Sequence, residues 1–213
     1  MPSSDADLIQ TWIQVWAHVR SVPVHEVDGW PQVHLASVTR ETELICLEPG
    51  VETCRDLFRL IAGDPRAMLT IVGRDLDAYD RIELPAGVRL DRHDETLMTT
   101  DFEPLQQSVP DAGFTSGWDE YDHVATHWIE IDGRIAAEGS VGVLGAHATF
   151  DGVETLPQFR RRGLGRHVMA NLTDHAIAAG ARHGILAASR EGRRLYESIG
   201  WEATLQMRSF MGA

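Results

Sequence analysis

Arg160, Arg161, Arg162 and Arg166 cluster in a 213-residue chain whose formal net charge is −13. Gly163 and Gly165 complete an R-x-x-G-x-G pattern that begins at Arg160. Leu164, Val168, Leu172 and Ile177 follow at near-helical spacing, with Met169 beside them, so the pattern sits where a helix begins. A helix N-terminus carries unpaired N–H groups and the positive end of a dipole, which suits phosphate. Glycines let the backbone approach such a ligand, and successive amides form an anion nest. A local reversal of charge this strong favours a polyphosphate. Taken alone, the cluster reads equally as a solvated basic face. Two other phosphate motifs fail here: no Gly-Lys-Ser/Thr follows, and position 168, where a dinucleotide fingerprint needs its third glycine, is Val.

Downstream, Gly184–Ser189 is a short apolar strand, and Leu195-Tyr196-Glu197-Ser198-Ile199-Gly200-Trp201 closes a second helix. With the R-x-x-G-x-G loop at 160–165 and L-Y-x-x-x-G-W at 195–201, the chain resembles the GNAT superfamily of N-acetyltransferases. The resemblance covers 133–210 well, 97–132 weakly and 1–96 hardly at all. It implies an α+β fold, a mixed, mostly antiparallel twisted sheet flanked by helices. Residues 97–213 would form the acetyl-CoA-binding catalytic domain, and residues 1–96 an additional N-terminal α/β lobe.

The resemblance also assigns roles. Backbone groups of Val153, Glu154 and Thr155, with Leu156 adjacent, would pair with the pantetheine arm of acetyl-CoA. Backbone amides of Arg161, Arg162, Gly163, Leu164, Gly165 and Arg166 would hold the pyrophosphate, with Arg160 or Arg166 adding charge-assisted contacts. Tyr196 matches the general acid that protonates the leaving thiolate; read from its residue type alone, it is equally an amphipathic core side chain. Many family members carry an Asn near the end of the fifth strand. Here Ser189 stands in that region and still offers a hydroxyl. The implied reaction is attack of a neutral amine on a thioester. Acetyl-CoA is then a co-substrate, the acceptor is a small-molecule or protein amine, and no metal is called for.

The base that takes the amine's proton is not fixed by any motif. Asp151, Glu154 and Glu138 lie on or beside the central strands. Alternation puts Asp151 and Val153 on one face and Glu154 on the other, unless a bulge intervenes. His147 is a weaker candidate, and a water chain could serve instead. A CoA-binding regulatory protein that has lost catalysis is the alternative function. It draws support from the unassigned base and a compressed acceptor region.

Composition bounds the rest. An apolar share of 43% with 24% charged suits a soluble chain with an ample core. The acidic balance argues against broad nucleic-acid binding and is compatible with a cationic substrate. Two cysteines, Cys46 and Cys54, give neither a disulfide framework nor metal spacing, and Cys54 reads as a buried helix residue. Residues 8–19 are apolar yet too short for a membrane span, and no secretory signal is visible, so the cytoplasm is the expected compartment.

The remaining elements follow from periodicity and turn signals. Residues 5–20 read as an amphipathic helix with Leu8, Trp12, Trp16 and Val19 on one face and Ser3 or Ser4 as cap. Exposed tryptophans there would favour a homodimer. Pro23, Gly29 and Pro31 mark a loop. Val33–Val38, Glu43–Leu47 and Ala67–Val72 read as strands, Glu52–Ala62 as a helix with Leu57, Leu60 and Ile61 inward, and Leu76–Ile82 as a short helix. Val88–Asp101 reads as one or two strands with a polar break at Arg92–Glu95, where His93, Asp94 and Glu95 form a solvated turn. Phe102–Gly117 is the linker or lid candidate. It leaves little room for the acceptor-site helices of the family, so residues 1–96 are expected to supply part of that pocket. Residues 123–131, Arg134–Leu144 and Ala146–Leu156 read as strands, with Asp132-Gly133 as a hairpin turn and Asp151-Gly152 as a bend or bulge. A final helix, Arg190 to Ser198, and a strand, Trp201–Phe210, complete the chain. No internal repeat is legible.

Overall fold

The computed structural model describes residues 4–35, 37–105 and 112–213. It contains four α-helices and eleven strands among the described residues. They group into two compact units: residues 98–186 with 191–202, and residues 2–97 with 187–190 and 203–213.

In the N-terminal unit, α1 (Asp5–Val19) starts at Ser4, whose side chain accepts the Asp7 N–H. Its Trp12 and Trp16 stack at 5.5 Å and are only 3% and 7% exposed. The exposed tryptophans on which a homodimer would rest are therefore absent; α1 spends them on its own core. Next come β1 (Val24–Val27), β2 (Trp30–His34), β3 (Thr42–Leu47), α2 (Val51–Ile61) and β4 (Ala67–Gly73). The stretch marked by Pro23, Gly29 and Pro31 is a hairpin and not a loop. Asp28 and Gly29 both take positive φ, the two-residue turn that matches strand twist. Phe58, fully buried, takes the inward place expected of Leu60, which is 52% exposed. Cys46 and Cys54 are both free and buried. In place of the short helix expected over Leu76–Ile82 there is a single 3-10 turn at Tyr79–Arg81.

Strand β5 (Val88–Asp101) runs unbroken through the expected polar break. Its charges pair locally instead of forming a turn: Arg92 with Glu95 at 3.0 Å, and His93 with Asp94 at 2.8 Å and with Asp80 at 3.3 Å. The strand β11 (Glu202–Gly212) lies antiparallel to β4.

The C-terminal unit holds β6 (Thr115–Tyr121), β7 (Val124–Ile131), β8 (Arg134–Leu144), β9 (His147–Thr155), α3 (Leu164–Ala178), β10 (His183–Ala188) and α4 (Arg190–Glu197), less the β10–α4 junction. Part of the expected lid is thus strand β6, paired antiparallel with β7; residues 106–111 of it lie outside the described residues. Strands β6 to β9 form an antiparallel meander, and α3 then carries the chain over to β10, which pairs parallel with β9. Leu164, Val168, Leu172 and Ala176 of α3 are at most 1% exposed. Burying each of the larger three is worth about 1.5–3 kcal/mol. Gly139 of β8 lets the helix approach: a Cβ there would come within 3.1 Å of both Val168 and Leu172.

A topological repeat emerges that the sequence hides. β1, β2, β3, α2 and β4 follow the same course as β7, β8, β9, α3 and β10: two antiparallel pairings, a helix, then a parallel strand. Among the described residues no helix is long and apolar enough to cross a membrane.

Candidate functional site

Strands β9 and β10 pair at His147 with His183 and at Ala148 with Gly184, and then pair no further. From Thr149 to Thr155, β9 presents one backbone edge without a strand partner among the described residues. Backbone groups left open in this way can serve a ligand laid along the strand. Val153, Glu154 and Thr155 lie on this edge, and Leu156 follows, its own N–H donating to the carbonyl of Ala136.

A register break falls in the same stretch. Ser140 opposes Asp151 and Glu138 opposes Glu154, so Gly139 faces two residues, Gly152 and Val153. Gly152 takes φ +60°, a conformation glycine adopts without strain. Glu138 and Ser140 share a face of β8, so their partners Glu154 and Asp151 share a face of β9. The bulge therefore brings Asp151 and Glu154 together, away from α3, where simple alternation separates them. Glycines at 139 and 152, facing each other across one hairpin, are the signal in the sequence that locates this bulge.

Beyond β9 a 3-10 turn at Pro157–Phe159 leads into the arginine loop. Arg161 takes φ +66° and Gly163, the N-cap of α3, φ +77°. No side chain caps α3, and its first turn holds no acid. The first amide bonded within this end is that of His167, which donates to the Gly163 carbonyl. The amides of Leu164, Gly165 and Arg166 thus have no intrahelical acceptor. A Cβ on Gly163 would meet no protein atom within 4 Å, so the space above the N-cap is open.

The arginines divide their tasks. Arg160 turns back, its Nε donating to the Thr155 carbonyl at 3.1 Å and its guanidinium to Glu191 at 3.2 Å. Arg162 lies 4.7 Å over the Phe114 ring. Arg166 donates to the Ser198 carbonyl at 3.4 Å. Arg161 alone of the four has no hydrogen bond or ion pair among the described residues.

Tyr196 is the one buried side chain of α4, 7% exposed, with its ring 5.9 Å from that of Trp201. Burial first, and then the negative charge of Asp151, push its hydroxyl up to about 12. The hydroxyl is therefore a protonated donor at neutral pH, within electrostatic reach of Asp151. Gly165 ties α4 to α3, since a Cβ there would sit 3.1 Å from Leu195.

Ser189 is exposed at the β10–α4 junction, in the 187–190 segment that groups with the N-terminal unit. His147 stands at the opposite end of β9 from the loop, with its ring 5.3 Å from His183, and burial lowers its pKa. No group of three or more His, Cys, Asp or Glu side chains gathers as a metal site among the described residues. A partly buried cluster of Trp118, His127, His167 and His175 between β6, β7 and α3 was not foreseen. Its members are scattered along the sequence, and only the packing of α3 joins them.

A profile of the Acetyltransferase (GNAT) family matches residues 91–201. The fold resembles that of a GCN5-related N-acetyltransferase from Kribbella flavida, with TM-score 0.63 and 19% identity over 93% of this chain and 92% of that one. It also resembles an acetyltransferase of the GNAT family from Novosphingobium aromaticivorans, with TM-score 0.60 and 18% identity over 93% and 96%. A tandem GNAT protein from the clavulanic acid biosynthesis pathway is similar as well, with TM-score 0.56 and 12% identity over 99% and 96%. The opened β9 edge, the uncapped helix with its arginine–glycine loop and the family match over half of the chain together assign it: the chain belongs to the GNAT acetyltransferase family.

Proposed function

We propose that the protein transfers an acetyl group from acetyl-CoA to a primary amine. The observation that carries this reading is the open edge of β9 leading into the uncapped, arginine-flanked N-terminus of α3, with the buried Tyr196 on α4. The residues present suit the co-substrate: an anion fits over Gly163, and a flexible amide-bearing arm fits along an open strand edge.

In this reading Val153, Glu154 and Thr155 bind the arm through backbone groups, with Leu156 adjacent. The amides of residues 161–166 hold the pyrophosphate, Arg161, which has no hydrogen bond or ion pair among the described residues, supplies charge, and Arg160 shapes the turn. Acetyl-CoA supplies the activated acyl group. The amine nitrogen forms a bond to the acyl carbon as the carbon–sulfur bond breaks. An alkylammonium with pKa near ~10.4 must first lose a proton, and Asp151 or Glu154, now on one face, accepts it directly or through water. A backbone N–H near Thr155 stabilises charge developing on the acyl oxygen. Tyr196 donates its proton to the leaving sulfur and regains one from solvent, so the products are the acetamide and the free thiol.

The test joins binding and turnover. Calorimetry on the full chain should give micromolar acetyl-CoA affinity, about −8 kcal/mol, lost when Gly163 is replaced by Val. Tyr196→Phe should keep that affinity and lower thiol release on an accepted amine by about 10²–10⁴-fold. Undiminished turnover in Tyr196→Phe removes the acid assignment. Tight binding with no turnover on any amine favours the CoA-binding regulatory protein.

A further inference from the structure

The helix α4 has few means of holding itself in place. It is eight residues long, well below the length at which a helix is stable alone. Gly192 stands inside it, where glycine weakens a helix relative to alanine. Tyr196 is its one buried side chain. Such a helix takes its position from its neighbours, and Tyr196 stands wherever they set it.

The arginine loop and the start of α3 touch α4 along its length. At its start, the Glu191 carboxylate accepts from the Arg160 guanidinium at 3.2 Å, while the Nε of the same arginine donates to the Thr155 carbonyl at the end of β9. In the middle, Leu195 lies so near Gly165 that a Cβ there would come within 3.1 Å of it. At the far end, the Ser198 carbonyl accepts from Arg166 at 3.4 Å. Carbonyls at the end of a helix lose their helical donors, and a cation there meets the negative end of the dipole. Glu191 and Ser198 are seven residues apart, about 10 Å along a helix, and Tyr196 lies between them. Glu191 also stands against the affinity of the loop, since a carboxylate beside an anion site repels the anion.

We infer that Glu191 and Arg166 are positioning residues: through Arg160 and the Ser198 carbonyl they fasten both ends of α4 to the arginine loop and so set where Tyr196 stands. This rests on the acyl-transfer reading above, in which Tyr196 delivers a proton to the leaving sulfur. In this role neither side chain touches the reacting atoms. The loop that holds the pyrophosphate also seats the helix that carries the acid, so bound co-substrate firms α4. Glu191 lowers affinity for the co-substrate and raises the rate.

The experiment uses the full chain with acetyl-CoA and an accepted amine. The Glu191 side chain is 80% exposed, so Glu191→Gln should fold as wild type does. It should lower kcat about 2–5-fold, the range of an exposed ion pair. Its acetyl-CoA affinity by calorimetry should stay equal or tighten, because a carboxylate leaves an anion site. Arg166→Met should lower kcat similarly, and Arg166→Lys, which keeps a donor, should recover most of it. Placed in Tyr196→Phe, Glu191→Gln should lower kcat no further. An equal loss in that background, or weaker acetyl-CoA binding with kcat kept, overturns the inference. Hydrogen exchange reads the tether without turnover: α4 amides should exchange about 2–5-fold faster in Glu191→Gln and Arg166→Met, with α3 unchanged. Unchanged α4 exchange with turnover intact fails the tether alone. Faster α4 exchange, with no thiol release from wild type on any amine, leaves the tether standing and fails the acyl-transfer reading.

Discussion

His127 shows how one side chain can tie stability to pH. It is 2% exposed, its Nδ1 lacks a partner among the described residues, and it packs 4.7 Å from Trp118 and 5.5 Å from His167. Burial, and then repulsion from His167, lower its pKa from 6.5 to about 4. As pH falls through ~6.5 the unfolded chain takes up a proton that the folded chain refuses until about pH 4. Stability is therefore complete above that window and declines within it, by up to about 3 kcal/mol. His127→Phe retains an aromatic ring without the titration. Urea midpoints measured from about pH 7 to 4.5 should fall less steeply for this variant than for wild type. Matching slopes would mean that other groups carry the acid sensitivity. The histidine cluster was invisible in the sequence because its members touch only after α3 packs on the sheet. Asp151 and Glu154 were visible as residues and Asp151-Gly152 as a bend or bulge; the register shift opposite Gly139 is what makes the two carboxylates neighbours on one face, which alternation alone does not.

At the scale of elements, α3 was the most legible part of the chain. Its apolar stripe, its glycine-rich start and its stop at Gly180 are all short-range signals, and the helix runs from Leu164 to Ala178. Strand β8 was equally clear, its bounds Arg134–Leu144 set by alternation between two turns. The β1–β2 hairpin and β6 were missed for opposite reasons. Pro23 and Pro31 obscured the Asp28-Gly29 turn, and the polar alternation of β6 buries little on either face. The two glycines of the loop make separable predictions. Gly163 has open space around it and φ +77°, so Gly163→Ala should cost about 1–2 kcal/mol of stability from backbone strain and weaken acetyl-CoA binding. A Cβ on Gly165 would lie 3.1 Å from Leu195, so Gly165→Val should push α4 away and lower turnover through Tyr196 more than it lowers melting temperature. Thermal melts with parallel calorimetry and kinetics distinguish them; identical profiles would argue that the loop acts as one unit.

For the whole molecule, the question raised by the repeated topology is how many co-substrate sites the chain holds. The two copies differ at the places that matter. In the N-terminal copy β3 and β4 stay paired along their length, from Thr42 with Ala67 to Leu47 with Val72, whereas β9 and β10 stop after two pairs. At the ends of β3 and β4, Glu48 folds over Gly73 and its carboxylate accepts the Arg74 N–H at 2.7 Å. A protein carboxylate thus already takes a backbone donor where the corresponding edge of the other copy is open. The helix starts also differ in sign: α2 carries Glu52 in its first turn, while α3 carries no acid there and follows three arginines. A polyphosphate placed at α2 would meet negative charge and no cleft for its arm; at α3 it meets the reverse. We therefore expect calorimetry to return one acetyl-CoA per chain, with no second transition at millimolar ligand. In a Gly163→Val variant the residual heat should vanish entirely, since no other site remains to supply it. A stoichiometry of two, or saturable binding that survives that substitution, would show that the fully paired strands of the N-terminal copy part when ligand arrives, and the closed reading of that copy would be wrong.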